Sequence, residues 1–158
     1  MQRLKTIIGL IGASRPTAAG AAQAEQVGRL LAAHGVVLVC GGLGGVMEAA
    51  ARGCAGNGGD VLGILPGPDT ALANPHVTLA VPTNMGHARN VIIAHTAQAL
   101  IAVEGEFGTI SEMAVALKLG KPVIALPGAP QLPGIRTATT PEEAVLQALA
   151  SLTAGTPP

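Results

Sequence analysis

Residues 99–126 read ALIAVEGEFGTISEMAVALKLGKPVIAL, and the fold is decided there. The first five residues are a short apolar run of the kind that fills a buried parallel strand. Residues 104–108 break it with Gly105 and Gly108, which permit positive φ and let the backbone approach a ligand closely. Thr109-Ile110-Ser111-Glu112 fits a capping box and predicts a helix opening at Thr109 and running to Leu119. Gly120 suits the left-handed stop after the last turn. Lys121-Pro122 ends the helix, and residues 123–126 begin another buried strand. A glycine turn feeding a helix N-terminus offers free N–H groups and a partial positive charge, a ready anion site. The expectation is that this turn holds a phosphate.

Upstream, residues 6–11 read as a first strand, 12–17 as a turn and the alanine-rich 18–33 as a helix closed by His34-Gly35. Residues 36–40 make a second strand, followed by the glycine turn Gly41-Gly42-Leu43-Gly44-Gly45 and a helix over 46–55. A third strand over 61–65 leads into the loop 66–76, whose length makes it a candidate lid or binding loop. A short strand over 77–81, with edge character, precedes a turn at 82–86 and a helix over 87–98. Downstream lie a proline-rich loop over 127–135, a last strand over 136–139 and a helix opened by Thr140-Pro141-Glu142-Glu143, ending near residue 152. One domain over 1–153 with a flexible tail at 154–158 is expected. Alternating strands and helices imply βαβ units: an α/β, Rossmann-like, doubly wound parallel sheet with helices on both faces. Ligands in such sheets bind beyond the carboxyl ends of the strands. The glycine turns after Ile11, Cys40 and Val103 all fall there.

The chain has 158 residues, with Lys+Arg 9 against Asp+Glu 9, so the electrostatic footprint of a nucleic-acid partner is missing. It is 49% hydrophobic but 1% aromatic, so the core must be built from Ala, Val, Leu and Ile. No apolar run is long enough to span a bilayer, and no membrane partner is expected. The start MQRLKTIIGLIG faintly resembles a signal peptide, but it turns directly into a glycine loop, as a first strand would. Cys40 and Cys54 form no CxxC pair, and the plain inference is a reduced, cytoplasmic protein. The first turn lacks GxGxxG, and no acidic residue ends strand two, which argues against a nicotinamide dehydrogenase. Gly120-Lys121-Pro122 closes a helix and is no P-loop. His34, His76, His87 and His95 are scattered, so no metal site is expected.

The segments Gly41-Gly42-Leu43-Gly44-Gly45-Val46-Met47-Glu48, Gly63-Ile64-Leu65-Pro66-Gly67, MGxARN (from Met85) and Gly105-Glu106-Phe107-Gly108-Thr109-Ile110-Ser111-Glu112 together resemble the LOG-like proteins, long labelled "possible lysine decarboxylases". The similarity runs from the first strand to about Leu126. It looks closest to the short branch that includes molybdenum cofactor carrier proteins. A better-known branch hydrolyses the N-glycosidic bond of nucleoside 5′-monophosphates, with the signature PGGxGTxxE and an upstream Arg-Lys pair. Gly108, Thr109 and Glu112 match the end of that signature, whereas residues 104–107 depart from its start. Arg89 matches the Arg, and Asn90 stands in place of Lys, as in the carrier-like branch. The resemblance implies that Glu112 would be the catalytic carboxylate and Arg89 its partner.

Each candidate also has a plainer role. Glu112 and Glu48 can simply cap their helix starts. Arg89 is a cation at a positive helix end, which suits either an anionic ligand or a carboxylate partner. Ser14 and Arg15 can add phosphate contacts or only shape a turn. Asn84 and Asn90 suit polar ligand edges or surface turns, and His87 reads as a helix-start residue. Phe107, the sole aromatic residue, suits stacking on a base or pterin ring or filling a subunit interface. Gly12, Ser14, Gly41, Gly42, Gly44, Gly45, Glu48, Met85, Asn90, Gly105, Gly108 and Thr109 are the candidate ligand contacts. The expected function is a cytoplasmic binding protein for a phosphorylated heterocycle, either a molybdenum cofactor or a nucleotide. The alternative is a phosphoribohydrolase using Glu112 and Arg89 with no cofactor required for chemistry. A pyridoxal-dependent lysine decarboxylase is disfavoured, because neither Lys5, Lys118 nor Lys121 falls at an expected strand-end pocket. The broad apolar helix faces over 91–99 and 110–119 suggest a homodimer or homotetramer.

Overall fold

The computed structural model describes residues 2–154, so most of the tail expected over 154–158 lies outside the described residues. One seven-stranded parallel sheet runs in the order β4-β3-β2-β1-β5-β6-β7. The strands are β1 (Ile7–Gly12), β2 (Val37–Cys40), β3 (Val61–Leu65), β4 (Leu79–Pro82), β5 (Ala99–Val103), β6 (Val123–Ala125) and β7 (Arg136–Thr137). The helices are α1 (Ala18–Ala33), α2 (Val46–Ala55), α3 (Arg89–Thr96), α4 (Phe107–Lys118) and α5 (Pro141–Thr153). The chain builds outward from β1 to the β4 edge, then crosses back to lay β5 on the other side of β1. The switch in winding direction therefore falls between β1 and β5, where such sheets bind ligands.

Side-chain alternation assigns the two faces. Ile8, Leu10, Leu38, Ala99, Ile101 and Val103 pack under α1, α2 and α5. Ile11, Val39, Leu100, Ala102 and Val123 pack under α3 and α4. A core without large rings needs close backbone approach, and glycine supplies it where α1 crosses α2. A Cβ on Gly28 would collide with the Ala50 carbonyl, and one on Gly53 with the Glu25 carbonyl. β1 is the central strand of the seven, and its neighbour β5 is buried at all five positions. β4 is exposed throughout and ends in Pro82, which suits an edge.

Several boundaries differ from the sequence reading. The capping box at Thr109 does not form. Glu104 (φ 53°) and Gly105 (φ 118°) turn the chain sharply, and α4 begins at Phe107 with Glu106 as N-cap and no side-chain cap. Thr109 and Glu112 lie inside the helix and are both buried. The helix expected over 87–98 opens with a 3-10 turn, Gly86–Ala88, and ends at Thr96. The strand expected over 77–81 starts at Leu79, because Val77 donates its N–H to the Asn74 carbonyl and Thr78 reaches Val61 instead.

Glu104 is a tie between distant parts of the chain. Its carboxylate accepts from the Thr17 N–H at 3.0 Å and from the Thr17 hydroxyl, while that hydroxyl oxygen caps α1 at the Gly20 N–H. Glu104→Ala is expected to lower stability by about 1–2 kcal/mol in urea unfolding, because two donors lose a charged acceptor. The exposed neighbour change Glu106→Ala should stay within about 0.5 kcal/mol of wild type. Equal effects of the two changes would contradict this role for Glu104.

Candidate functional site

Among the helix starts at the carboxyl edge of the sheet, the N–H groups of α1, α2 and α4 meet different fates. At α1, Thr17 caps through its hydroxyl. At α2, the Val46 N–H donates to the Ala13 carbonyl at 3.0 Å, and Glu48 supplies a carboxylate in the first turn. At α4, no acidic side chain occupies the first turn. Among the described residues, the N–H groups of Phe107, Gly108 and Thr109 find no protein acceptor. The positive end of α4 is thus left open, whereas that of α2 already has its own negative charge.

Beside it lies a buried cation. Arg89 is the first residue of α3 and only 7% exposed. Its Nη2 donates to the Gly41 carbonyl at 3.4 Å, and its Nη1 donates to Asn90 Oδ1. Its Nε is buried with no partner. Burial lowers the Arg89 pKa, opposed by the nearby Glu112 carboxyl and, more weakly, by the Cys40 thiol. Glu112 is 8% exposed on α4, one turn beyond Gly108 and on the same face. Burial pushes its pKa up to about 7, and the Arg89 charge only partly offsets this. The two side chains make no ion pair within 4.0 Å among the described residues, where the bridges are Lys5–Asp60, Arg29–Glu25 and Arg52–Glu25. The Asn90 amide nitrogen faces Gly108, so β2, α3 and α4 converge on one small polar cluster.

Internal packing accounts for many of the candidate glycines. A Cβ on Gly12 would collide with the Val103 carbonyl, and one on Gly45 with the Ala13 and Ser14 carbonyls. A Cβ on Gly41 would lie 2.8 Å from Arg89 Nη2, and one on Gly42 2.6 Å from Leu65 Cδ2. Gly105 turns against the Thr109 side chain. Gly44 and Gly108 differ: neither has positive φ, and a Cβ at either would enter open space, 4.0 Å from Glu48 Oε2 or Asn90 Nδ2 respectively. Among the candidate glycines, these two are the ones that neither backbone conformation nor packing requires. The Ser14 side chain is exposed, and Met85 is exposed on the turn before α3, outside the polar cluster. Phe107 is 86% exposed at the rim.

Two polar residues matter here that the sequence gave no reason to single out. Buried Asn74 anchors the 66–76 loop to the glycine turn, donating to the Leu43 carbonyl at 2.9 Å and to the Gly42 carbonyl from its backbone at 2.8 Å. Lys121 donates to the carbonyls of Ala94, His95 and Ala97, closing the C-terminus of α3. Among the described residues, no group of three or more His, Cys, Asp or Glu could hold a metal ion, and no helix is long and apolar enough to cross a membrane. Chemically, the cluster can bind an anion through backbone N–H groups and a guanidinium. It can also present a carboxyl group that exchanges a proton near neutrality.

A family model described as the SLOG cluster4 family matches residues 5–153. An uncharacterised protein of Archaeoglobus fulgidus is 49% identical over 144 residues, spanning 91% of this chain and 95% of that protein. The molybdenum cofactor binding protein of Rippkaea orientalis superposes with a TM-score of 0.89 at 34% identity, covering 96% of this chain and 99% of that one. The molybdenum cofactor carrier protein of Chlamydomonas reinhardtii superposes with a TM-score of 0.86 at 31% identity, with the same coverage.

The raised pKa of Glu112 has a stability consequence with a definite sign. Between its ordinary 4.5 and about 7, the folded protein keeps a proton that the unfolded chain has lost. Stability therefore falls as pH rises through this window. Glu112→Gln removes the effect, so the variant should match wild type near pH 4.5 and exceed it at pH 8, by on the order of 3 kcal/mol. Urea unfolding at both pH values checks this, and a difference that does not grow with pH would contradict it.

Proposed function

This chain belongs to the SLOG cluster4 family, and from that premise we propose that it binds a phosphorylated heterocycle, of molybdenum cofactor type or a nucleotide, with the phosphate at the start of α4. The observation that carries this reading is the unsatisfied N–H trio of Phe107, Gly108 and Thr109 beside a buried Arg89 whose Nε lacks a partner. Such a site fits a phosphate group, because both the helix end and the guanidinium favour a polyanion. The resemblance to molybdenum cofactor proteins from two organisms supports a ligand that carries a heterocycle on that phosphate.

In this reading the cofactor is cargo, and the chain's residues bind, orient and shield it. The N–H groups of residues 107–109 and Arg89 hold the phosphate. Gly108 lets it approach, and Asn90 fixes the guanidinium. The ring extends toward Gly44 and Glu48, where the second open glycine leaves room. Gly12, Gly41, Gly42, Gly45 and Gly105 shape the floor of the site, while Ser14, Met85 and Phe107 border it. The exposed apolar residues Leu72, Leu79, Val81, Val91 and Phe107 favour a homodimer or homotetramer. Two buried free cysteines suit a reducing, cytoplasmic setting.

One observation favours a second reading. A carboxyl group held near neutrality beside a cation suits a general acid for N-glycosidic cleavage, with Glu112 protonating the leaving base and Arg89 holding the substrate.

The two readings separate in one set of assays. Protein purified from a host that makes molybdenum cofactor is denatured, and released phosphorylated pterin or nucleotide is quantified by liquid chromatography. Base release is followed in parallel on nucleoside 5′-monophosphates. The binding reading expects near-stoichiometric ligand and no base release. It also expects at least an order of magnitude less ligand on Gly108→Asp, which has room to fold but sets a carboxylate against the anion. Ligand-free protein, or Gly108→Asp that retains ligand as well as wild type does, would contradict it. Base release abolished by Glu112→Gln would establish the hydrolase instead.

A further inference from the structure

Opposite charges buried together in an apolar site normally pair, because each is costly alone. Arg89 and Glu112 are both more than nine-tenths buried and feel each other's charge, yet they do not pair. The guanidinium is engaged elsewhere, by the Gly41 carbonyl through Nη2 and by Asn90 Oδ1 through Nη1. Adjacent residues on a helix seldom meet side chain to side chain. Asn90 does so here at the first turn of α3, and its own nitrogen faces Gly108 across the site.

We infer that Asn90 is a positioning residue, which draws the Arg89 guanidinium toward Gly41 and leaves the Glu112 carboxyl without an ion-pair partner, free to meet a ligand directly. The consequence is chemical. Glu112 is faced by Arg89 from α3 and by the Cys40 thiol from the end of β2, which burial keeps neutral up to about pH 11. Glu48 of α2 turns instead toward Gly44. With its one cationic neighbour held off, Glu112 keeps its proton near neutral pH and presents an O–H donor to an anionic ligand. Ligand uptake then depends on that proton and weakens as pH rises through about 7. An aspartate at 90 would hold the guanidinium as Asn90 does, whereas a residue without an acceptor would release it toward Glu112.

This deepens the anion-site reading and rests on it only for the ligand, so the test uses ligand-free protein. Glutamate side-chain carboxyl carbons are labelled with carbon-13, the Glu112 signal is assigned with Glu112→Gln, and its titration is followed by NMR. In Asn90→Ala the freed guanidinium should pair with Glu112 and lower its midpoint by about one pH unit, a tenfold change in proton affinity. In Asn90→Asp the midpoint should stay or rise. Asn90→Val serves the same comparison as Asn90→Ala if the latter does not fold. An unmoved Glu112 midpoint in the acceptor-free variant, or equal downward shifts in it and in Asn90→Asp, would overturn the role of Asn90. A normal Asn90 effect in a protein that retains no phosphorylated ligand would overturn the proposed function and leave this inference intact.

Discussion

A guanidinium held out of water at the positive end of a helix is the constraint around which the carboxyl edge of this sheet is arranged. Arg89 begins α3, where the helix dipole disfavours it, and lies buried where a cation is expensive. Each neighbour answers that charge in part. Gly41 has no Cβ, which leaves room for the guanidinium, and offers its carbonyl; Asn90 accepts a hydrogen bond; Glu112 opposes the burial cost only when it is ionised. Nε is left over. A buried donor without an acceptor costs on the order of 1–3 kcal/mol, which an incoming anion can recover. The bare start of α4 lies next to it, and both groups ask for the same kind of ligand.

The scaffold accounts for why these groups meet. β1 and β5 pair with Gly12 opposite Val103, which sets the turns after them side by side at the switch in winding. Glu104 ties the end of β5 to the start of α1, and Asn74 ties the 66–76 loop to the glycine turn after β2. Because α1 and α2 approach at Gly28 and Gly53, small side chains suffice to fill this face of the sheet.

Much of this was legible in the sequence, for physical reasons. Short apolar runs bounded by glycine turns read as buried parallel strands when helices alternate with them, whereas the strand order rests on long-range pairing that carries no local signal. Arg89, Asn90, Gly108 and Glu112 were recognisable from their motifs. The start of α4 was not. Thr109-Ile110-Ser111-Glu112 has the pattern of a capping box, but the chain turns earlier because Glu104 adopts a positive φ, for which glutamate carries no local signal. That error hid a distinction: Glu112 cannot be capping α4, so its burial has no such explanation. The roles of Glu104, Asn74 and Lys121 depend on partners 87, 31 and about 25 residues away in the chain, which no local pattern encodes.

We place the anion seat at the open N-terminus of α4, and not at that of α2. Titrating nitrogen-15-labelled protein with sulfate, which stays doubly charged across the working pH range, tests it most directly by amide chemical shift. Saturable shifts are expected at the amides of Phe107, Gly108 and Thr109, lost in Arg89→Met, with the amides of Val46 and Met47 unmoved. Shifts centred on Val46 and Met47, or none at residues 107–109, would contradict it.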